Sequence, residues 1–389
     1  MHQITRKDCD MIYVISCVLQ NQKPDKKRIE TMDLKALYEA ARKHSLTAMV
    51  YMGLEDTGGF EVTDQAWIRQ WKDEKEKAIR KNILFDTERN QLFAIMEKAG
   101  IWYMPLKGAV LKDYYPKYGM RQMSDNDILY DAVYAKELLS IMKQRGYKVE
   151  IFGRSNDDVY MKPPIYNFEM HRNLFHINED HKDMAEYYAE VKTRLLPDEG
   201  KKYGYHFSDE DFYIYMMAHA YKHFSGGGTG LRTLVDEYVF LQKKEASLDW
   251  AYVRGELEKL GVSDFEKMCC SLSKKIFSLD TEGNVENLTE EEKTELGILL
   301  YSGTYGTVEQ YTKNVLRKLQ PGDEPVTRKV KIQYCLSRIF PGREWCRIHL
   351  PFFDRHPYLI PALWIYRVFR GLFCNRDRIK AEIETVRKS

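Results

Sequence analysis

The stretch from Leu106 to Asp131, LKGAVLKDYYPKYGMRQMSDNDILYD, constrains this chain more than any other. At its centre Asp125-Asn126-Asp127 runs directly into Ile128 and Leu129. Alternating carboxylates followed by an apolar pair predict a strand entering a core, because strand side chains alternate between faces. Asp125 and Asp127 then project from one face, where like charges repel unless a cation lies between them. Hard carboxylate oxygens in that arrangement suit Mg²⁺ or Mn²⁺. Upstream, Ile101 to Leu106 (IWYMPL) is a short apolar run ending at Lys107-Gly108, and a helix-like segment from Ala109 to Tyr115 follows. A strand, a glycine turn and a helix start together favour anions, through unpaired amides and the helix dipole.

The rest of the chain changes period around this stretch. Asp33 to Leu54 spaces Leu34, Leu37, Ala40, Ala41, Leu46, Met49 and Val50 as an amphipathic helix does. Ala66 to Ala99 predicts a longer charged helix with Ile79, Ile83, Phe85, Leu92, Ile95 and Met96 on its apolar side, and Gly58-Gly59 separates the two. Beyond the acidic strand, Tyr134 to Gln144 reads as a helix closed by Gly146. Tyr147 to Phe152 reads as a strand, Asp157-Asp158 as a turn before Val159 to Lys162, and Ile165 to Leu174 as another strand. Alternation puts Asn167, Glu169 and His171 on one face of that last strand, which makes Glu169 a candidate third carboxylate. From Asp209 onward the pattern is helical, with expected helices at Asp209–Phe224, Leu231–Lys244, Trp250–Leu279 (broken near Gly261), Leu288–Ser302 and Val308–Leu319.

The string LKG, a short helix ending in YYP, then R-x-x-S-D-N-D-I-L and an E-x-H strand at Glu169 and His171, resembles the uncharacterised nucleotidyltransferase family. That family lies within the DNA polymerase beta-like superfamily. The resemblance covers most of the chain, and its motif segments are Leu106 to Leu129 and Tyr166 to Leu174. It implies a glycine-containing turn before a D-x-D strand, a third carboxylate on a later strand, and metal-dependent nucleotidyl transfer. In that scheme Asp125, Asp127 and Glu169 are catalytic and metal-binding. The aspartates hold the metal that carries an NTP, and Glu169 holds a second ion or takes the acceptor's proton. Lys107, Gly108 and Arg121 are the expected phosphate contacts, Gly108 by letting the backbone approach. Two positions depart from the superfamily pattern. Lys107-Gly108 replaces a Gly-Ser or Gly-Gly turn, and the middle of D-x-D is Asn126, whose buried amide demands a hydrogen-bond partner.

Further polar residues are candidates for a substrate cleft. His171 shares the face of Glu169, where it tunes the carboxylate, contacts substrate or is satisfied within the sheet. His219 and His223 stand one helical turn apart, as do Arg232 and Asp236, and the resemblance suggests an H…H…R…D pattern. A zinc site at the two histidines needs a third ligand that the spacing does not supply. Gly226 to Gly230 lacks the strand and Gly-Lys-Ser/Thr ending of a phosphate loop and reads as a helix connector.

The chain has 389 residues, enough for two or three domains. The expectation is an α+β protein: a helical lobe at 1–95, a small mixed-sheet nucleotidyltransferase core at 96–200 and a helical region at 201–389. A formal net charge of +2 gives no global nucleic-acid signature. Seven cysteines without C-x-x-C spacing argue against a disulfide framework or a cysteine zinc site. The charged N-terminus does not read as a signal peptide, so a cytoplasmic protein is expected. Tyr358 to Phe373 is the most apolar stretch, but Pro361, Arg367 and Arg370 interrupt it, so no transmembrane span is expected. Its expected role is packing onto a helical lobe, with contact to a membrane surface or partner as the alternative. The expected function is transfer of a nucleoside monophosphate to an unknown acceptor (small molecule, RNA or protein). The alternative is a catalytically degenerate protein of the same fold that binds a nucleotide or a partner.

Overall fold

In a computed structural model, residues 2–55, 57, 66–176, 182–278, 285–322 and 324–389 are described below. The expected break at Gly58-Gly59 lies outside them. The chain divides into two compact units, Met1–Tyr221 with Gly230–Leu300, and Lys222–Thr229 with Tyr301–Ser389. Segments 1–95 and 96–200 lie in the first unit, and 201–389 is shared between the two.

The first unit is built on a five-stranded sheet of β1 (Tyr103–Pro105), β2 (Asn126–Tyr130), β3 (Lys148–Ile151), β4 (Asp157–Lys162) and β5 (Tyr166–His171), in the order β1-β2-β5-β4-β3. Only β2 and β5 run parallel; the other neighbours are antiparallel. A separate two-stranded ribbon pairs β6 (Leu195–Pro197) with β7 (Tyr205–Phe207). This mixed sheet amid many helices is the expected α+β class.

One sheet face forms the core. Ile128 and Tyr130 of β2 and Phe168 and Met170 of β5 pack with Leu138 and Met142 of the helix Ala135–Gln144 and with Leu92 and Met96 of the helix Ala66–Ala99. Strand alternation therefore turns Asp127, Glu169 and His171 to the opposite face. The helix Ala66–Ala99 forms over the expected span, but its buried face differs from the periodicity. Ile83 is 50% exposed, whereas Asn82, Glu88 and Arg89 are buried. Those polar side chains are inside because they have partners there. Asn82 donates to the Arg121 carbonyl, and Glu88 accepts from Arg145 and Tyr147.

Asp157-Asp158 is not a turn. It begins β4, and Asp158 is fully buried because Tyr130, Arg172 and the Gly153 amide donate to its carboxylate. Asp33 to Leu54 is likewise two helices, Leu34–Lys43 and Thr47–Glu55, parted at Ser45, whose φ of 55° is left-handed.

The second unit holds the helices Val308–Leu319, Arg328–Ile339, Arg343–His349, Ile360–Cys374 and Arg376–Lys388. Ile360–Cys374 packs within this unit against Arg328–Ile339 and Arg376–Lys388, while Ile365, Tyr366, Phe369 and Phe373 stay exposed. Among the described residues no helix is long and apolar enough to cross a membrane.

Candidate functional site

The site grows out of the parallel pairing of β2 with β5, whose register sets Asp127 directly beside Glu169. His171, two residues on, shares their face. Ligand atoms of Asp127, Glu169 and His171 lie within 4.8 Å of one another. Asp125 precedes β2 and lies outside that set, although its charge acts on both Asp127 and Glu169. Ser124 Oγ donates to Asp125 Oδ2 at 3.0 Å.

Lys107 supplies the positive charge. Its Nζ donates to Asp127 Oδ1 at 2.6 Å, and His171 Nε2 meets the same oxygen at 2.9 Å. Burial by itself would raise the Asp127 carboxyl, but the ammonium and the imidazole outweigh it and hold the group well below the usual carboxylate range. Glu169 goes the other way. Burial, then the charges of Asp127 and Asp125, push it up to about 8, because Lys107 only partly offsets them. Asp125 is raised by burial and by Asp127. Asp127 thus holds the ammonium, while Glu169 and Asp125 add further carboxyls nearby, an arrangement that a cation would relieve.

The donor set fits a divalent ion. Asp127 and Glu169 offer hard oxygens, and the buried Nδ1 of His171 has no hydrogen-bond partner. Asn167 Oδ1, on the same face of β5, is a second buried acceptor without one. A second acidic group, Glu237, Glu266 and Cys270, fits proton sharing better. There the Tyr213 hydroxyl, with a single hydrogen, faces Glu237 Oε1 at 2.9 Å and Glu266 Oε1 at 2.7 Å, so a carboxyl proton must fill one contact.

The turn before the acidic strand differs in detail from a helix-start anion site. The helix Gly108–Leu111 has only four residues, and the amides of Ala109, Val110 and Leu111 are bonded to the carbonyls of Leu106 and Lys107. Lys107 has φ 46° and ψ −118°, a strained backbone for a side-chain-bearing residue. That strain accompanies the aim of its ammonium at Asp127. Gly108 is needed for packing: a Cβ there would collide with the Arg121 guanidinium and the Met123 thioether.

Arg121 is buried and paired with Asp236, Nε to Oδ1 at 2.8 Å and Nη2 to Oδ2 at 2.9 Å, and Tyr115 donates to the same carboxylate at 2.7 Å. This trio fastens the segment before β2 to the helix Leu231–Lys244. Arg232, on the same helix, donates to the Gln122 carbonyl at 3.5 Å, and its charge offsets a little of the rise at Asp125. The His219 ring lies tilted beside that of Tyr215, with centroids 6.0 Å apart, whereas His223 belongs to the second unit.

Three residues join the site without having been nominated from sequence. Tyr215 has a buried hydroxyl with no partner, and its electrostatic neighbours are Lys107, Asp127 and Glu169. Its position one helical turn before His219 was the available signal, but an aromatic in an apolar helix reads as core. Lys81 donates to the Ser124 carbonyl at 3.1 Å and feels Asp125. Asn167 was on the right face of its strand and carried no charge to single it out.

Residues 30–278, more than half of the chain, match the family described as uncharacterised nucleotidyltransferase. The chain belongs to that family. The match contains the whole of β1 to β7 and therefore every acidic residue of this site. No curated protein and no solved structure matches the chain. Nucleotidyl transfer is the general chemistry of this nucleotidyltransferase family.

Proposed function

We propose that this family member is a metal-dependent nucleotidyltransferase that moves a nucleoside monophosphate from an NTP to an acceptor and releases pyrophosphate. The observation that supports it most is the Asp127–Glu169 pair, two carboxyls side by side with one of them pushed up to about 8. Asp127 and Glu169, with Asp125 behind them, are the residues to hold Mg²⁺ or Mn²⁺. Such an ion supplies charge stabilisation at the oxygens of the transferring phosphoryl group.

The remaining roles fall to side chains. Lys107 neutralises Asp127 in the free protein and turns to a phosphate oxygen once that carboxylate has another counter-charge. Glu169 loses its proton under the same condition, which leaves it able to orient the acceptor hydroxyl or accept its proton. His171 keeps Asp127 in place through the same carboxylate oxygen that Lys107 bonds. Tyr215 offers a hydroxyl donor in the same pocket. The acceptor class is a small molecule, an RNA end or a protein side chain, and its choice rests with the surrounding helices.

The test is incubation with labelled NTPs and a cell extract in Mg²⁺ or Mn²⁺, with pyrophosphate release as the second readout. Asp127→Asn and Glu169→Gln should each lower transfer by about a hundredfold or more, and a chelator should abolish it. Wild-type turnover in Asp127→Asn would remove that residue from the site. Lys107 already pairs with Asp127, which favours the second reading, a degenerate nucleotide- or partner-binding protein. Saturable NTP binding without pyrophosphate release in the presence of extract selects it.

A further inference from the structure

The second unit contains a cavity of its own, about 540 Å³, a volume typical of small-molecule sites. Arg338, Arg367, Arg370 and Arg378 all border it, and Glu382 is the one carboxylate on its wall among the described residues. That carboxylate is already committed. Arg338 donates to it through Nη2 at 2.8 Å and Nε at 3.2 Å, and Arg378 through Nε at 3.4 Å. The bonds from Arg338 join the helices Arg328–Ile339 and Arg376–Lys388, and Arg378 bonds Glu382 within the latter helix, so a structural duty accounts for two of the four guanidiniums.

Arg367 and Arg370 are left over. Arg367 lies 4.4 Å above the Trp345 ring and donates through Nη2 to the Arg338 carbonyl at 3.0 Å. Its Nε is buried and has no acceptor. Burial and the neighbouring arginines 338, 370 and 378 push its guanidinium below the usual arginine value. An excess of positive charge around a hollow, with one donor unspent, is electrostatically unfavourable until an anion enters. Guanidinium forks match phosphate geometry bidentately. Ile339, Val368 and Ile379 make the remaining wall apolar.

We propose that this cavity binds a phosphate-bearing ligand, its phosphate against Arg367 and Arg370 and an apolar portion against Ile339 and Ile379. The source of the phosphate is a soluble ester or the headgroup of an anionic lipid. The exposed aromatic residues of the helix Ile360–Cys374 are compatible with the lipid source. This site goes beyond the nucleotidyl-transfer reading and stands independently of it.

The experiment uses the full chain. Inorganic phosphate and glycerol 3-phosphate are titrated by calorimetry and by tryptophan fluorescence, and flotation is measured with vesicles of phosphatidylcholine alone or equimolar with phosphatidic acid. Saturable binding to the soluble phosphates, or flotation only with phosphatidic acid, is the expected result, and which arm responds identifies the source. Arg367→Gln and Arg370→Gln should weaken it by about tenfold each, the scale of one charge-assisted hydrogen bond. Lys329→Gln, an exposed charge outside the cavity, should leave it unchanged. Arg370 is exposed, so its variant remains informative if Arg367→Gln fails to fold. No binding in any arm, equal flotation with neutral vesicles, or full binding by Arg370→Gln and a folded Arg367→Gln overturns the proposal.

Discussion

Asn126 stands on the core face of β2, where its Nδ2 has no hydrogen-bond partner among the described residues and only its Oδ1 is met. Arg89, reaching from the helix Ala66–Ala99, donates through Nη1 to its Oδ1 at 2.9 Å, and Asp86 takes the other end of that guanidinium at 2.5 Å. The polar middle residue of the D-x-D is thus the acceptor for a buried cation, and it ties the acidic strand to the long helix. Asn126→Leu should therefore destabilise the protein despite adding apolar bulk, because Arg89 is left buried with a donor unmet. The expected loss is roughly 1–3 kcal/mol, read as a lower urea midpoint. An unchanged midpoint would show that Arg89 finds another acceptor at no cost.

At the scale of elements, the turn after β1 and the loop before β2 are interlocked. Gly108 lies where Arg121 passes on its way to Asp236. Gly108→Ala should force that guanidinium aside and cost about 1–3 kcal/mol through overpacking, with a visible drop in melting temperature. A melting temperature equal to the wild type would mean that the turn shifts freely. A second interlock involves His44, at the C-terminal end of the helix Leu34–Lys43. Its Nδ1 accepts from the Leu231 amide at 3.1 Å, and the ring also bonds the Leu300 carbonyl. Burial first, then the charge of Lys43, push its pKa down from 6.5 to about 3. The unfolded chain takes up a proton below pH 6.5 that the folded chain refuses until about pH 3, so stability is full above this window and falls as pH drops through it. The expected slope is roughly 1.4 kcal/mol per pH unit from this group, and His44→Gln should flatten the pH dependence of melting by that one proton. An unaltered slope would assign the acid sensitivity to other groups.

At the scale of the whole molecule, two compact units predict two unfolding events. Scanning calorimetry should resolve two transitions, or one whose calorimetric enthalpy exceeds its van't Hoff enthalpy. A single transition with equal enthalpies would show that the units melt as one. Much of this organisation was legible in the chain. The spans Ala66–Ala99, Leu231–Lys244 and Val308–Leu319 follow their apolar spacing closely, since helix periodicity is a local property. The start of β4 was not legible, because two adjacent aspartates look like a turn until Tyr130 and Arg172 arrive from elsewhere to bond one of them. The same holds for the buried Glu88 and Arg89, and for the division of the C-terminal half between units.

For the acidic site, the sequence alone put Asp127 on a strand and Glu169 and His171 together on another, because alternation needs only the order of residues. The family also followed from local strings of residues. Three matters rested with the tertiary structure: that β2 and β5 are parallel neighbours in the register that sets Asp127 beside Glu169, that Lys107 points at that pair, and that Arg121 is bound to Asp236. Register, pairing and charge partnership are relations between segments far apart in the chain. They are fixed by which groups can be buried together with their hydrogen bonds satisfied, and no local pattern records that choice.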